Sequence, residues 1–362
     1  MAETIILFFI VLIFPFGQLA RIDIGQISFP LVDLFVLFLS LANLITHLKQ
    51  KKPNKNIFLL LFLIFACLSF FLNLYRYPPI SLKPFLYLLR LNAYLLLFIY
   101  PLQIKKNQII KIKKLFTLSL LTAVIFGLIQ YFFWPDLTYF SSLHWDPHLF
   151  RLVSSFIDPT FTAIIFLLFF IKIYFWPKSN TKMFLLILIY LALALTYSRS
   201  TFLSFLFISL IVSRHQQKAK IFIFSLILVI GTIFLLPRPP GEGTKLERSS
   251  SVLAKIENYQ EAITVSLQAP LIGHGYNNLY SARKISIPQS HANFGFDNSF
   301  LTILATTGLF GLLLFLAGLK KFFLQSTFTK KILLLAIFCH SLFANSLFYP
   351  WVIIFVLIDQ IS

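Results

Sequence analysis

Charge is scarce in this chain. Asp, Glu, Lys and Arg make up only 12% of its 362 residues, about half the share of an ordinary soluble domain. Acids are scarcer still, with 12 Asp and Glu against 31 Lys and Arg. Only two cysteines occur, Cys67 and Cys339, each inside an apolar run, so no disulfide framework is implied. There is no Ser/His/Asp order, no glycine-rich phosphate loop and no CxxC or HExxH. An adjacent acidic pair of the DxD kind is also missing, which argues against a bound divalent metal. No internal repeat or low-complexity tract is found. What the chain does have is apolar bulk: 58% hydrophobic residues, 45 of them phenylalanine, and a mean hydropathy of +0.85. A soluble fold of this length cannot hide that much apolar surface, whereas a bilayer can.

The basic excess does not indicate nucleic acid. Its residues sit in short clusters between apolar runs, the arrangement of membrane topology rather than of a basic binding face. The runs are Thr4–Leu19, Ile27–Leu48, Ile57–Leu74, Leu82–Leu102, Leu115–Trp134, Phe161–Trp176, Met183–Tyr197, Thr201–Val212, Ile221–Leu236, Asn298–Leu319, Ile332–Phe348 and Trp351–Ile358. The first lacks the basic flank and small-residue cleavage site of a signal peptide, so it reads as a retained helix. Every second connection is basic: Lys49 to Lys55, Lys105 to Lys114, Lys178 with Lys182, Arg214 to Lys220, and Lys320 to Lys331. Together these five carry eighteen cations and no acid. The positive-inside rule then places them, and both termini, in the cytoplasm. The expected architecture is an all-α, polytopic integral membrane protein of about twelve helices in the cytoplasmic (inner) membrane. Residues 1–236 would hold nine spans, 237–297 one large extracytoplasmic loop with short helices, and 298–362 three more spans.

The large loop opens on Pro237-Arg238-Pro239-Pro240-Gly241, an extended and turning segment. Ser249-Ser250-Ser251 can cap a following helix in which Ile256, Tyr259 and Ile263 share a face, suiting it to the membrane surface. Pro270-Leu271-Ile272-Gly273-His274-Gly275 ends it. Functional sites in membrane proteins announce themselves as ionisable groups at membrane depth. Arg199 lies in the turn between two short helices, whose reach draws it below the surface; it needs an anion or a wet cavity, unless it snorkels. Arg151 begins a segment that re-enters the membrane and ends on Asp158-Pro159, a late-starting helix. An Arg151–Asp158 pair or an interfacial anchor is the bland alternative. Arg90, in mid-span, also needs a partner. These arginines suggest an outward cationic cavity suited to phosphate oxygens, an anionic lipid head group or pyrophosphate being the natural guest.

At Asp297-Asn298 the loop ends, and the next run carries Gly308-Leu309-Phe310-Gly311. This resembles the O-antigen ligase and polymerase superfamily of membrane glycosyltransferases, in which a His-Asn or Asp-Asn pair precedes a Gly-x-x-Gly helix. Arg151 with Asp158-Pro159, then Ser198-Arg199-Ser200, then Pro270 to Gly275 with Gly273 and Gly275, match further family stretches in order. Lys255, Tyr259 and Ala262 stand where Arg, Trp and Ala are usual. The resemblance covers roughly residues 120–320.

What the resemblance implies is a GT-C-like fold and a metal- and cofactor-independent glycosyltransferase. Its donor would be a polyprenyl-pyrophosphate-linked glycan, its acceptor a glycan, lipid or protein. Arg151, Arg199 and Lys255 would hold the pyrophosphate with Arg248 as helper, and Asp297 would be the general base. Aspartate in place of histidine leans toward the polymerase branch, with His291 as a candidate source of imidazole chemistry. Lysine at 255 keeps the charge but loses the guanidinium fork. Asp297 could instead cap the helix that starts at Asn298. A flippase or other transporter of lipid-linked oligosaccharide is the competing reading. It lacks support from two related halves and has little use for a structured loop of about sixty residues, where an enzyme would use one to close its site.

Overall fold

The computed structural model describes residues 2–24, 27–50, 54–76, 82–143, 145–239, 242–283 and 295–361. The chain is a helical bundle. In order its helices are α1 (Ala2–Ile13), α2 (Leu31–Lys49), α3 (Ile57–Asn73), α4 (Lys83–Ile99), α5 (Lys106–Phe133), α6 (Pro159–Tyr174), α7 (Asn180–Ala194) and α8 (Arg199–His215). Then follow α9 (Ala219–Leu235), α10 (Ser250–Gln268), α11 (Tyr280–Arg283), α12 (Ser299–Leu324), α13 (Phe328–His340) and α14 (Pro350–Gln360). Four segments are long and apolar enough to cross a membrane: Ala2–Leu19, Leu31–Lys49, Lys106–Phe133 and Ser299–Leu324. Five shorter apolar helices, α3, α6, α7, α9 and α14, pack with them.

Each apolar run carries a helix, but three boundaries move. The second run opens not as helix but as β2 (Ile27–Pro30), paired antiparallel with β1 (Arg21–Ile24) in register Ile22 to Phe29. Arg21 fastens this hairpin, donating from Nε to Ser28 Oγ at 2.7 Å. Helix α5 starts nine residues before its apolar run, because Lys, Gln and Ile continue a helix well outside the apolar phase. The eleventh run stops being helical at His340. Beyond it, backbone groups are taken by the start of α12: Ser299 N–H donates to Ser341 O, and Leu347 N–H donates to Ser299 Oγ.

Helix α6 is the centre. Residues 163–169 are fully buried, which matches a helix apolar on every side. An aromatic cluster of Phe14, Phe116, Phe156, Trp351 and Phe355 packs at the heart of the core, with Phe14 and Phe116 centroids 5.0 Å apart, edge to face. Helix α9, by contrast, buries only Ser225 and Val229. Its exposed Phe224, Ile227 and Phe234 need lipid rather than water. The basic connections gather at one end. There Lys172 Nζ lies 3.9 Å from Asp359, Lys182 Nζ donates to Trp176 O at 2.6 Å, and the His215 and Phe328 rings stack at 3.7 Å. Arg151, Arg199 and α10 are at the other.

Arg90 has its partner. It is ion-paired with Asp33, whose other oxygen accepts from Tyr94 Oη at 2.9 Å, and the Tyr87 ring lies 5.1 Å from the guanidinium. Asp33 stands in the first turn of α2, too far away in sequence to be matched with Arg90 before folding.

The two glycine motifs turn out to be one device. Helix α12 breaks at Gly308, whose φ of +65° suits glycine. The carbonyls freed by the break are taken by the Pro270–Gly275 segment: His274 N–H donates to Ala305 O at 3.0 Å and Gly275 N–H to Thr306 O at 2.9 Å. In return Leu309 N–H donates to Pro270 O at 2.8 Å. Ser69 and Asn73 of α3 clamp the join, donating to Ile272 O and Gly273 O. A Cβ at Gly308 would sit 2.3 Å from Leu271 backbone, and one at Gly273 2.4 Å from Thr306 backbone. Gly308→Ala and Gly273→Ala are therefore expected to cost at least about 2 kcal/mol each, through positive φ and backbone collision. Gly231→Ala, where a Cβ meets nothing within 4 Å, should be near neutral. Thermal unfolding of the purified protein in detergent compares the three, and equal melting temperatures would refute the interlock.

Candidate functional site

The site is built on a re-entrant segment, a turn and a roof. Helix α5 supplies the first clamp: Gln130 Oε1 accepts from Val153 N–H at 2.9 Å and Ser154 N–H at 3.3 Å. Gly17, at φ +51°, presses against Ser155 from the other side, where a Cβ would be 2.5 Å from its carbonyl oxygen. Residues 151–157 are thus pinned among protein groups, which satisfy their irregular backbone. Asp158 then caps α6, its Oδ1 accepting from Thr160 N–H at 2.6 Å and Phe161 N–H at 2.8 Å. The late start at Asp158-Pro159 is as expected. The Arg151–Asp158 ion pair is not, since the carboxylate is used as a cap.

Arg151 is buried, and its Nε donates to Thr196 O at 3.0 Å, tying it to the turn between α7 and α8. Arg248 and Arg199 lie nearby, and Asp158 opposes them. Arg199 at the start of α8 reaches upward. Its Nη1 donates to Leu246 O at 3.2 Å and Arg248 O at 2.9 Å, and its Nη2 bonds Ser251 Oγ. Neither a snorkelling cation nor one paired with a protein anion describes it: it holds down the roof. Arg248 crosses back, donating to Ser251 Oγ at 3.1 Å and to Gly243 O at 2.6 Å. A Cβ on Gly243 would be 2.7 Å from Arg151 Cδ, so the roof lies directly on that arginine.

Helix α10 is the roof beam. Ser251, Lys255, Asn258, Tyr259, Ala262 and Val265 recur at helical spacing on its inner side. Lys255 Nζ is 3.2 Å from Asp297 Oδ2 and also donates to Phe343 O. Asn258 Oδ1 accepts from Asp297 N–H at 2.9 Å, and Tyr259 Oη donates to Leu342 O. Ala262 and Val265 are buried in a small cluster with Phe296 and Ala305. Of the face suited to the membrane surface, Ile256 and Ile263 are exposed, but Tyr259 turns inward instead. Ser249 precedes the helix without a side-chain capping bond, while Ser251 serves Arg199 instead.

Asp297 does not cap α12. Asn298 does, its Oδ1 accepting from Phe300 N–H at 2.9 Å and Leu301 N–H at 3.1 Å. Asp297 is left with its side chain 54% exposed beside Lys255, open to an incoming hydroxyl. His291 lies outside the described residues. The structure thus brings together Arg151, Arg199, Arg248, Lys255 and Asp297, while Gly273, Gly275, Gly308 and Gly311 form the joint behind them. Sequence reasoning missed Gln130, Ser251 and Asn258. Gln130 left a signal, as the only amide in its apolar run; the two loop residues left none. A separate apolar crevice of about 1130 Å³ opens between α7, α8 and α9. None of these five charged residues lines it, so it is not the seat of the chemistry.

A helical bundle with a cluster of cations under a helical roof is the class that these observations define. Residues 183–316 match the family model described as O-antigen ligase. That stretch is similar to the O-antigen ligase family, in agreement with the motifs that resemble this superfamily. The matched stretch holds Arg199, Arg248, Lys255 and Asp297, whereas Arg151 lies before it. A search of curated proteins gives no match.

Proposed function

We propose that this protein is a polymerase-type membrane glycosyltransferase, moving a glycan from a polyprenyl-pyrophosphate carrier to an acceptor glycan on the outer face of the cytoplasmic membrane. The observation that carries this is the gathering of Arg151, Arg199, Arg248 and Lys255 beneath the α10 roof, with Asp297 beside Lys255. The acceptor hydroxyl attacks the anomeric carbon, the bond to pyrophosphate breaks, and the acceptor proton passes to the Asp297 carboxylate. Negative charge grows on the departing carrier pyrophosphate. Four cations, of which Arg151 is buried, favour that charge once Arg199 and Lys255 exchange their roof and Asp297 partners for phosphate oxygens, and they take the part a divalent ion would play. Aspartate rather than histidine beside Asn298 is the reason for favouring polymerase over ligase.

The test is a turnover assay with a polyprenyl-pyrophosphate oligosaccharide pool, resolving products by size and quantifying released carrier. Longer glycans with stoichiometric free carrier are expected. Release onto a lipid or protein acceptor without lengthening would move the protein to the ligase branch. Movement of labelled lipid across a vesicle bilayer with no transfer would overturn the enzyme reading.

A further inference from the structure

Beneath the roof, where α8 and α13 meet the turn after α13, lies a chain of hydrogen bonds that none of the roles above employs. His340, the last residue of α13, is fully buried. Its Nδ1 is 2.6 Å from Ser346 Oγ and its Nε2 is 3.1 Å from Ser200 Oγ. Ser346 is fully buried, and among the described residues its hydroxyl has no partner other than the imidazole. That fixes the direction of the bonds. A neutral ring has one N–H. Were it on Nδ1, the Ser346 hydroxyl hydrogen would be buried with nothing to accept it, a cost of about 1–3 kcal/mol. With Ser346 donating to Nδ1, the ring hydrogen sits on Nε2 and donates to Ser200 Oγ.

Ser200 therefore has one lone pair occupied from behind and its own hydrogen to give. Among the described residues its only other hydroxyl neighbour is Ser198 Oγ, at a long 3.2 Å, and that group is itself 2.9 Å from Thr201 Oγ1. Unlike His340, Ser200 is only partly buried, and it follows Arg199 directly in the first turn of α8. The same turn after α13 that His340 begins also receives Lys255: Phe343 N–H donates to His340 O at 2.9 Å, and Phe343 O accepts from Lys255 Nζ. Ser200 thus stands between the Arg199 and Lys255 anchorages.

Resting on the proposed function, we infer that Ser200 Oγ–H is a direct contact to the pyrophosphate of the donor, and that His340 is the positioning residue that turns it there. The imidazole holds the hydroxyl as a donor, so an anion meets a hydrogen rather than a lone pair. Giving up the long bond to Ser198 costs little, and the new bond is charge-assisted.

The experiment is equilibrium binding of labelled farnesyl pyrophosphate to the full-length protein in lipid nanodiscs, with thermal unfolding run in parallel. Ser200→Ala is expected to weaken binding about tenfold, the worth of one hydrogen bond to a charged group. His340→Ala should weaken it similarly, and the double variant no further, because both lose the same bond. His340→Gln, which keeps a donor at the Nε2 position, should recover to within about threefold of wild type. A merely structural histidine would lower the melting temperature with effects that add to those of Ser200→Ala, and that additivity overturns the inference. So does Ser200→Ala binding within twofold of wild type while Arg199→Ala fails to bind. Should His340→Ala not fold, Ser200→Ala and His340→Gln decide between them. Wild-type protein that does not bind the probe overturns the inference and the proposed function together.

Discussion

Arg199→Ala lowers kcat/KM for glycan transfer by about a thousandfold, the upper end of what loss of one preorganised electrostatic donor does. Two losses coincide in this residue. On the proposed function the site loses a guanidinium for the departing pyrophosphate, and the roof loses the group that bonds Leu246 O, Arg248 O and Ser251 Oγ at once. Arg199→Lys separates them. An ammonium keeps the charge but cannot present the planar fork that spans these acceptors, so it should recover less than a tenth of the lost activity. Initial rates over a range of donor concentrations measure both variants, and an Arg199→Ala enzyme within threefold of wild type would exclude the role.

Asp297→Asn has the opposite signature. Without a base for the acceptor proton, kcat falls by about 10²–10⁴, while the donor binds as tightly as before or more tightly. The reason is the 3.2 Å pair in the unliganded site. The Lys255 ammonium is shared with Asp297, and a donor phosphate has to compete for it; a neutral amide releases it. Single-turnover rates and donor binding, measured on the same preparation, distinguish this from a binding defect. Weakened donor binding with unchanged chemistry would assign Asp297 to the roof rather than to the reaction.

Much of this was legible before folding. The apolar runs located the helices because a bilayer imposes length and composition together, and Asp158-Pro159 marked the start of α6 because a proline there removes only an N–H that the helix does not need. Arg151 and Arg199 stood out as charges where charge is costly, whereas Lys255 and Arg248 were pointed to only by the family resemblance. What the sequence withheld was long-range partnership. Asp33 lies 57 residues from Arg90, and no periodicity links them. Nor could it tell that Asn298 rather than Asp297 would cap α12, since both residues are good caps and one backbone angle decides. The inner side of α10 was not legible: Ile256 and Ile263 are exposed, as a face suited to the membrane surface would be, but Tyr259 turns inward and a mixed stripe from Ser251 to Val265 packs.

A roof made of one unbroken helix moves as a door, not as a curtain. Helix α10 is anchored near Val265, where His274 Nε2 meets the Val265 carbonyl beside the Gly273–Gly308 joint. Measured from there at 1.5 Å per residue, Tyr259 is about 9 Å along the beam and Ser251 about 21 Å. A swing of about ten degrees about that hinge would carry Tyr259 by about 1.6 Å but Ser251 by about 3.7 Å. The Arg199 latch would therefore part first, with the Lys255–Asp297 pair stretching less and the Tyr259 contact least. On the proposed function, a bulky carrier would enter at the arginine end of the beam.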